Sequence, residues 1–571
     1  MPTKLPKTDV VVVGVGWTGG IIAAELTKQG LKVVGLERGK ERTTKDYYMV
    51  HDELRYAFHY ELMQDLSRET VTFRNNEQMR ALPMRRYGSF LPGENLGGAG
   101  VHWNGMTFRF LPYDFQIYSK TVERYGKNKI PDGMTIQDWG ITYDELEPYY
   151  DKFEKMAGIS GEENPLGAKR SSPYPNPPMK ETPLLTLFKQ AAKSLNLHPY
   201  MSPSANLSQN YTNPDGISRV ACQYCGFCER FGCEYGAKAD PVVTVLPVAQ
   251  KSGNFTLVTF ANVLRIIHDG KTAAGVVYVD TRTGEEFEQP ADIVVLTSYV
   301  LNNTRLLLLS KIGRPYDPHT GQGVIGKNYC YQTMGAAAQG FFENKQFNLF
   351  AGAGALAMCL DDFNGDNFDH SSLKFIHGAN ISVSQTGLRP IANNPILPGT
   401  KSWGKDFKAQ SIRYANSVFS VGAQGASMPH RYHYLDLDPI YKDIYGQPLL
   451  RITFDFEDQE RELVAFLGQQ TEKIAKAMGA DKVVTNTKLG PYNIVPYQST
   501  HNTGGVIMGA DPRTSAVNHY LQMWDMENLF VVGASAFAHN SGYNPTGTVG
   551  ALAYRAAEGI LKYHKNGGSL A

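Results

Sequence analysis

The sequence has no uninterrupted apolar run of about 20 residues, the length a helix needs to cross a bilayer. Its most apolar stretch, residues 10–26, is broken by four glycines, a threonine and a glutamate. The start, MPTKLPKTD, lacks the apolar core of a secretory signal, so no export signal of the chain's own is expected. Charge of one sign is also missing: 56 Lys and Arg face 55 Asp and Glu. That balance leaves no basic footprint for nucleic acid. Repeats and low-complexity tracts are absent, and the composition is that of a globular protein. Cysteine is scarce, six in 571 residues, and Cys330 and Cys359 stand alone as expected core residues. A chain this long exceeds the roughly 250–300 residues at which a single core stops growing, so two domains are expected.

What is present begins at residue 8 with TDVVVVGVGWTGGIIAAELTKQGLKVVGLERG. Residues 10–13 read as a buried parallel strand. Gly14, Gly16 and Gly19 follow at once in G-x-G-x-x-G spacing. The first glycine permits a tight turn, the second lets backbone approach a pyrophosphate, and the third allows close helix packing. The helix that follows offers free N–H groups and a positive dipole end to phosphate. Gly30 ends it, residues 32–36 form a second strand, and Glu37 closes the unit where a carboxylate can accept from a ribose hydroxyl. This is a dinucleotide site for FAD or NAD rather than NADP, whose 2′-phosphate Glu37 would repel.

Three further segments choose between the two. They are GENLGGAGVHWNGM at 93–106, IVVLTSYVLNNTRLLLLSKIG at 293–313, and the pair STHNTGGVIMGADP and NLFVVGASAFAHNSGYNPTGTVGALAYRAAE near the C-terminus. Together with the N-terminal unit they resemble, in order and over nearly the whole chain, the glucose–methanol–choline (GMC) oxidoreductase family. The resemblance implies FAD. It also implies that Gly97, Gly98, His102 and Asn104 contact the flavin, that Val263 meets the adenine, and that Gly533, Ala534, Pro545 and Thr546 close over the ring. Read on their own, Gly97, Gly98 and Gly100 allow close backbone approach to a flat or phosphorylated ligand. Asn544, Pro545 and Thr546 suit a helix start, with Asn or Thr as the cap, at residues 546–560.

Oxidising an alcohol through a flavin needs a base for the hydroxyl proton while hydride leaves for the ring, and histidine suits that step. By the resemblance, His501 in THNTGG holds the family's active-site histidine position. Asn544 holds that of the second hydrogen-bonding group. His102 precedes a tryptophan as in members that bond this histidine covalently to the flavin; the alternative is a histidine that packs against the ring.

Four cysteines lie in CQYCGFCERFGC: Cys222, Cys225, Cys228 and Cys233. Disulfides at such spacing would be strained, and structural zinc sites usually draw two distant pairs. Spacing of this C-x2-C-x2-C kind is typical of iron–sulfur ligation. The insertion resembles that of the flavin-carrying subunits of membrane-bound bacterial sugar and sugar-acid dehydrogenases. There a [3Fe–4S] cluster passes electrons to a multihaem cytochrome c subunit. Cys222, Cys228 and Cys233 match as three-iron ligands; Cys225 departs from the pattern and leaves a [4Fe–4S] cluster open.

The fold expected is α/β: a Rossmann-type FAD-binding domain (residues 1–106, 219–328 and 492–571) and an α+β substrate domain with a mixed or antiparallel sheet (107–218 and 329–491). Residues 260–280 read as strands, 164–183 as an exposed proline-rich linker, and 410–456, with RITFDFE, as sheet covering the flavin. The function implied is oxidation of a secondary hydroxyl of a sugar or sugar acid, with gluconate preferred. Alternatives are 2-ketogluconate, a polyol or a pyranoside, an oxidase using O2, and a non-catalytic subunit. Partners implied are a small chaperone-like subunit with a twin-arginine signal and the cytochrome. The location implied is the periplasmic face of the inner membrane, with the cytoplasm as alternative.

Overall fold

The computed structural model describes residues 2–47, 53, 62–86, 88–389 and 393–571. Its centre is an eight-stranded sheet. Thr8–Val13 lies between Glu286–Leu296 and Val33–Leu36, parallel to both, and Phe255–Val258 adds parallel to the far edge. Residues Val10, Val11 and Val12 are fully buried, as a strand covered on both faces requires. Helix Trp17–Lys28 makes the crossover, and Gly30 turns the chain back at φ 85°. Glu286–Leu296 pairs with four strands. Its first half pairs antiparallel with Ala273–Asp280, and its second half joins the parallel core together with Leu529–Val531.

A six-stranded sheet, all of whose pairings are antiparallel, runs in the order Lys482–Asn486, Thr333–Phe341, Val418–Gly425, Ala379–Ser384, Ala357–Leu360, Tyr200–Met201. Helix Asp458–Ala477 packs on its strands Thr333–Phe341 and Val418–Gly425. The cross-strand pair Met334 and Gln424 faces the large cavity instead. The architecture is therefore α/β with mixed and antiparallel sheets, as the sequence implies. Among the described residues, no helix is long and apolar enough to cross a membrane.

Two expectations need correction. RITFDFE does not join the sheet over the cavity. Its strand, Pro448–Thr453, belongs to a separate four-stranded sheet and pairs in parallel with Val71–Arg74, a partner 379 residues earlier that no local pattern announces. Residues 164–183 are no free linker. Asn164 bonds Asp361 at 2.6 Å, Arg170 pairs with Glu154 and lies 3.8 Å from the Tyr174 ring centre, and Met179 is buried. Proline stiffness lowers the entropy lost when such a segment packs down.

Candidate functional site

A cavity of about 460 Å³ opens at the C-terminal ends of the parallel strands, where ligands of open α/β sheets bind. Gly14, Gly16, Glu37, Gly98, His102, Asn104, Val263, His501, Gly533, Ala534, Asn544, Pro545 and Thr546 all line it, so segments from across the chain converge there. Gly19 and Gly97 stand behind the wall. A Cβ on Gly19 would sit 2.1 Å from the Gly14 carbonyl oxygen, so its glycine serves helix packing. A Cβ on Gly14, at φ 90°, would sit 2.7 Å from Ser298 Cα. Gly16, by contrast, would meet only the Gly97 oxygen at 3.7 Å, leaving a bare backbone approach to the cavity.

Glu37 is held at the end of its strand by two backbone donors, Val15 N–H to Oε2 at 3.0 Å and Gly39 N–H to Oε1 at 2.8 Å. Burial raises its pKa, the two backbone donors opposing. Helix Thr546–Asn566 starts at the cavity with Pro545 in the cap position and no side-chain cap. Asn544 is thus not a cap. Its side chain is committed elsewhere, and the helix keeps its first N–H groups for a ligand. The helix also runs past residue 560, because residues 561–566 carry no glycine or proline to stop it.

Asn544 Nδ2 donates to His501 Nε2 at 3.2 Å, and Asn544 Oδ1 accepts from Gln424 Nε2 at 3.1 Å. The opposite ring nitrogen, His501 Nδ1, bonds Gln332 Oε1. Gln332 has no freedom to turn its amide, because its NH2 donates to the carbonyls of Ser541 at 3.1 Å and Tyr543 at 3.4 Å. Its oxygen must face the ring, so Nδ1 carries the proton and Nε2 presents a lone pair. Burial lowers the pKa of His501 to about 3, which keeps the ring neutral. Gln332 and Gln424 have no sequence signal. Gln332 is a polar residue in the run CYQTMGAAA, and its partner lies 169 residues away.

His102 ends the short helix Ala99–His102 on the cavity wall. Its Nε2 bonds the Leu91 carbonyl at 3.0 Å, while Nδ1 is buried without a partner. Burial lowers its pKa to about 4, so this ring too is neutral.

The cysteine loop wraps the outside of that wall. Arg230 N–H donates to the His102 carbonyl at 2.7 Å, and Glu229, next to Cys228, lines the cavity. Cys222, Cys225, Cys228 and Cys233 are all unpaired. Each sulfur faces N–H groups: Tyr224 N at 3.4 Å on Cys222, Phe227 N on Cys225, Asn206 Nδ2 at 3.6 Å on Cys228, and the amides of Tyr235 and Lys238 on Cys233. Tyr224, Gly226 and Arg230 have positive φ (55°, 79° and 69°), which turns these amides inward. The buried Lys238 ammonium, held by the carbonyls of Trp103, Cys228 and Phe231 at 2.7, 2.6 and 2.9 Å, adds positive charge. Burial pushes the Cys222 thiol up to about 12 and Cys225 to about 11, so thiolates here need a cation to neutralise them. A tetrahedral zinc site needs sulfurs roughly 3.8 Å apart. These four form no group of three or more within 4.8 Å. The loop therefore presents no ready-made tetrahedral zinc site. Cys330 and Cys359 are fully buried.

Residues 429–553 match the family model described as GMC oxidoreductase. The chain is 45% identical to the gluconate 2-dehydrogenase flavoprotein of Pantoea cypripedii, over 99% of this chain and 96% of that protein. It is 26% identical to the fructose dehydrogenase large subunit of Gluconobacter japonicus, over 99% and 100% of the two chains. The crystal structure of pyridoxine 4-oxidase from Mesorbium loti shares the fold, with a TM-score of 0.59 at 17% identity, covering 98% of this chain and 100% of that one. The glycine cradle, the converging segments and nearly full-length identity together make the chain a member of the GMC oxidoreductase family, an FAD-dependent oxidoreductase acting on alcohols.

Proposed function

We propose that this protein is a dehydrogenase that oxidises a secondary hydroxyl of a sugar acid, with gluconate the first substrate to try. The observation that carries the chemistry is the His501 ring, neutral at the cavity, with Nδ1–H fixed by Gln332 and the Nε2 lone pair turned to the Asn544 amide. Bound FAD would supply the acceptor for the hydride of the carbinol carbon. His501 Nε2 takes the hydroxyl proton as the C–H bond breaks, leaving a carbonyl, and Asn544 Nδ2 positions the same oxygen. The substrate class rests on the 45% identity to the Pantoea gluconate 2-dehydrogenase flavoprotein.

His501→Ala should keep its flavin but lose anaerobic bleaching of that flavin by gluconate, by at least about 100-fold. Bleaching at the wild-type rate overturns the assignment of the base. Bleaching of wild type by polyols or pyranosides and not by aldonates overturns the substrate class.

His102, neutral and buried at the wall, is the residue for a covalent flavin bond. Acid precipitation that leaves all yellow colour in the supernatant excludes that bond. Electrons leave through an iron–sulfur cluster on Cys222, Cys228 and Cys233, with Cys225 as spare or fourth ligand. A cytochrome c subunit on the periplasmic face accepts them, and a small signal-bearing subunit accompanies the chain. Isolation of the chain from native membranes with a haem-containing polypeptide supports that assembly, and recovery from cytosol alone counts against it.

A further inference from the structure

Among the described residues, two groups bring three potential ligand atoms within 4.8 Å of one another: Asp114, His377 and His539, and His430, His433 and Glu457. The first is saturated. His377 Nδ1 accepts from Gly378 N–H at 2.8 Å, and His539 Nδ1 accepts from Trp139 Nε1–H at 3.1 Å. Both rings therefore carry their proton on Nε2, and both donate to Asp114 Oδ1, at 2.7 and 3.1 Å. Leu111 N–H occupies the other oxygen at 2.9 Å. No imidazole lone pair is left for a cation, and the group is a buried hydrogen-bonded clamp.

The second group is not saturated. His433 is 2% exposed, and its Nδ1 has no hydrogen-bond partner, a costly state for a buried imidazole. Its Nε2 is paired with Glu457 Oε1 at 3.2 Å, and His430 Nδ1 lies 3.6 Å from the same oxygen. Bonds of about 2.0–2.2 Å at tetrahedral angles would set donor atoms roughly 3.3–3.6 Å apart. The observed distances, 3.2 and 3.6 Å, lie within about 0.1 Å of that range.

The supports are those of a ligand set. The other nitrogen of His430 bonds the backbone carbonyl of Asp132, which leaves Nδ1 outward in the way a metal-bound imidazole is oriented. The Tyr432 N–H reaches Nδ1 only at 3.4 Å. His430 and His433 sit in a turn three residues apart, and Glu457 holds the cap position of helix Asp458–Ala477. The positive end of that helix is offset by Asp458 and Glu460 in its first turn. Glu457 is 42% exposed, so solvent can reach a fourth position. None of the three lines the flavin cavity.

We propose that His430, His433 and Glu457 bind a divalent transition-metal ion of the zinc type. It is completed by water and fastens the 430–433 turn to the N-terminus of helix Asp458–Ala477. Imidazole and carboxylate donors suit Zn2+ over Ca2+ or Mg2+.

The test uses the flavin-loaded protein after dialysis against chelator, titrated with Co2+ and then Zn2+. One equivalent of Co2+ should bind with ligand-field absorption and no thiolate charge-transfer band. Zn2+ should displace it and raise the melting temperature. His433→Gln and Glu457→Gln should each weaken binding by roughly 100-fold or more and remove the thermal shift. Glu457→Gln, partly exposed and isosteric, keeps the test open where His433→Gln does not fold. No binding, a thiolate band, or unchanged affinity in Glu457→Gln overturns the proposal.

Discussion

Gln332 decides which nitrogen of His501 carries the proton. Its amide nitrogen is bound to the Ser541 and Tyr543 carbonyls, and its oxygen therefore selects the Nδ1–H tautomer. If His501 is the base, Gln332→Leu lets the ring take the wrong tautomer. The expected result is a fall in kcat of about 10–100-fold with little change in KM. Gln332→Glu restores an acceptor to Nδ1–H and places negative charge beside the ring. It should recover part of kcat and move the acid limb of the kcat/KM profile to higher pH. Equal losses in the two variants with an unshifted profile would show that Gln332 matters only for packing. His501 and Asn544 were legible in the sequence because each sits in a short local motif. Gln332 and Gln424 were not, since their roles exist only where strands far apart in the chain meet the C-terminal segment.

Elements were legible where a local signal fixed them. The strand, glycine turn and helix of the N-terminal unit need only their own spacing, and they fold as that spacing requires. Pro448–Thr453 shows the opposite case: alternation identified a strand, but a period of two names no partner, and Val71–Arg74 claims it. The cysteine loop lies between these cases. Its spacing was informative, while the amides aimed at all four sulfurs and the contact with the cavity wall through Arg230 and Glu229 required the fold. If the loop is the electron exit proposed above, purified protein should contain iron and acid-labile sulfide. Its oxidised form should give a paramagnetic resonance signal if the cluster has three irons and none if it is an ordinary four-iron centre. Cys228→Ser should abolish reduction of an added cytochrome while substrate still bleaches the flavin. Absence of iron and sulfide, or unimpaired cytochrome reduction by Cys228→Ser, removes the loop from the electron route.

At the scale of the whole molecule, burying histidines in their neutral form ties stability to pH. His370 is the cleanest instance because it lies outside the cavity. It is fully buried among Phe368, Phe375 and Tyr125, with Nε2 bonding the Gly365 carbonyl at 2.9 Å. Burial lowers its pKa to about 4, against about 6.5 for an unfolded chain. The unfolded state therefore binds the proton first, and the favourable contribution of His370 is whole above pH 6.5 and lost as pH falls toward 4. The slope approaches about 1.4 kcal/mol per pH unit inside that window. His102 and His501 act in the same direction, while Asp240, pushed up to about 6, and Glu460, pushed up to about 7, act in the opposite one. The cancellation makes the wild-type curve alone a poor test, so the difference between two proteins is the quantity to measure. His370→Gln loses the aromatic packing at every pH but has no proton to gain. Its melting temperature should lie well below wild type at pH 7.5, and the gap should narrow steadily between pH 6.5 and 4.5. Parallel melting curves across that range would mean that His370 is protonated in the folded protein as readily as in the unfolded chain.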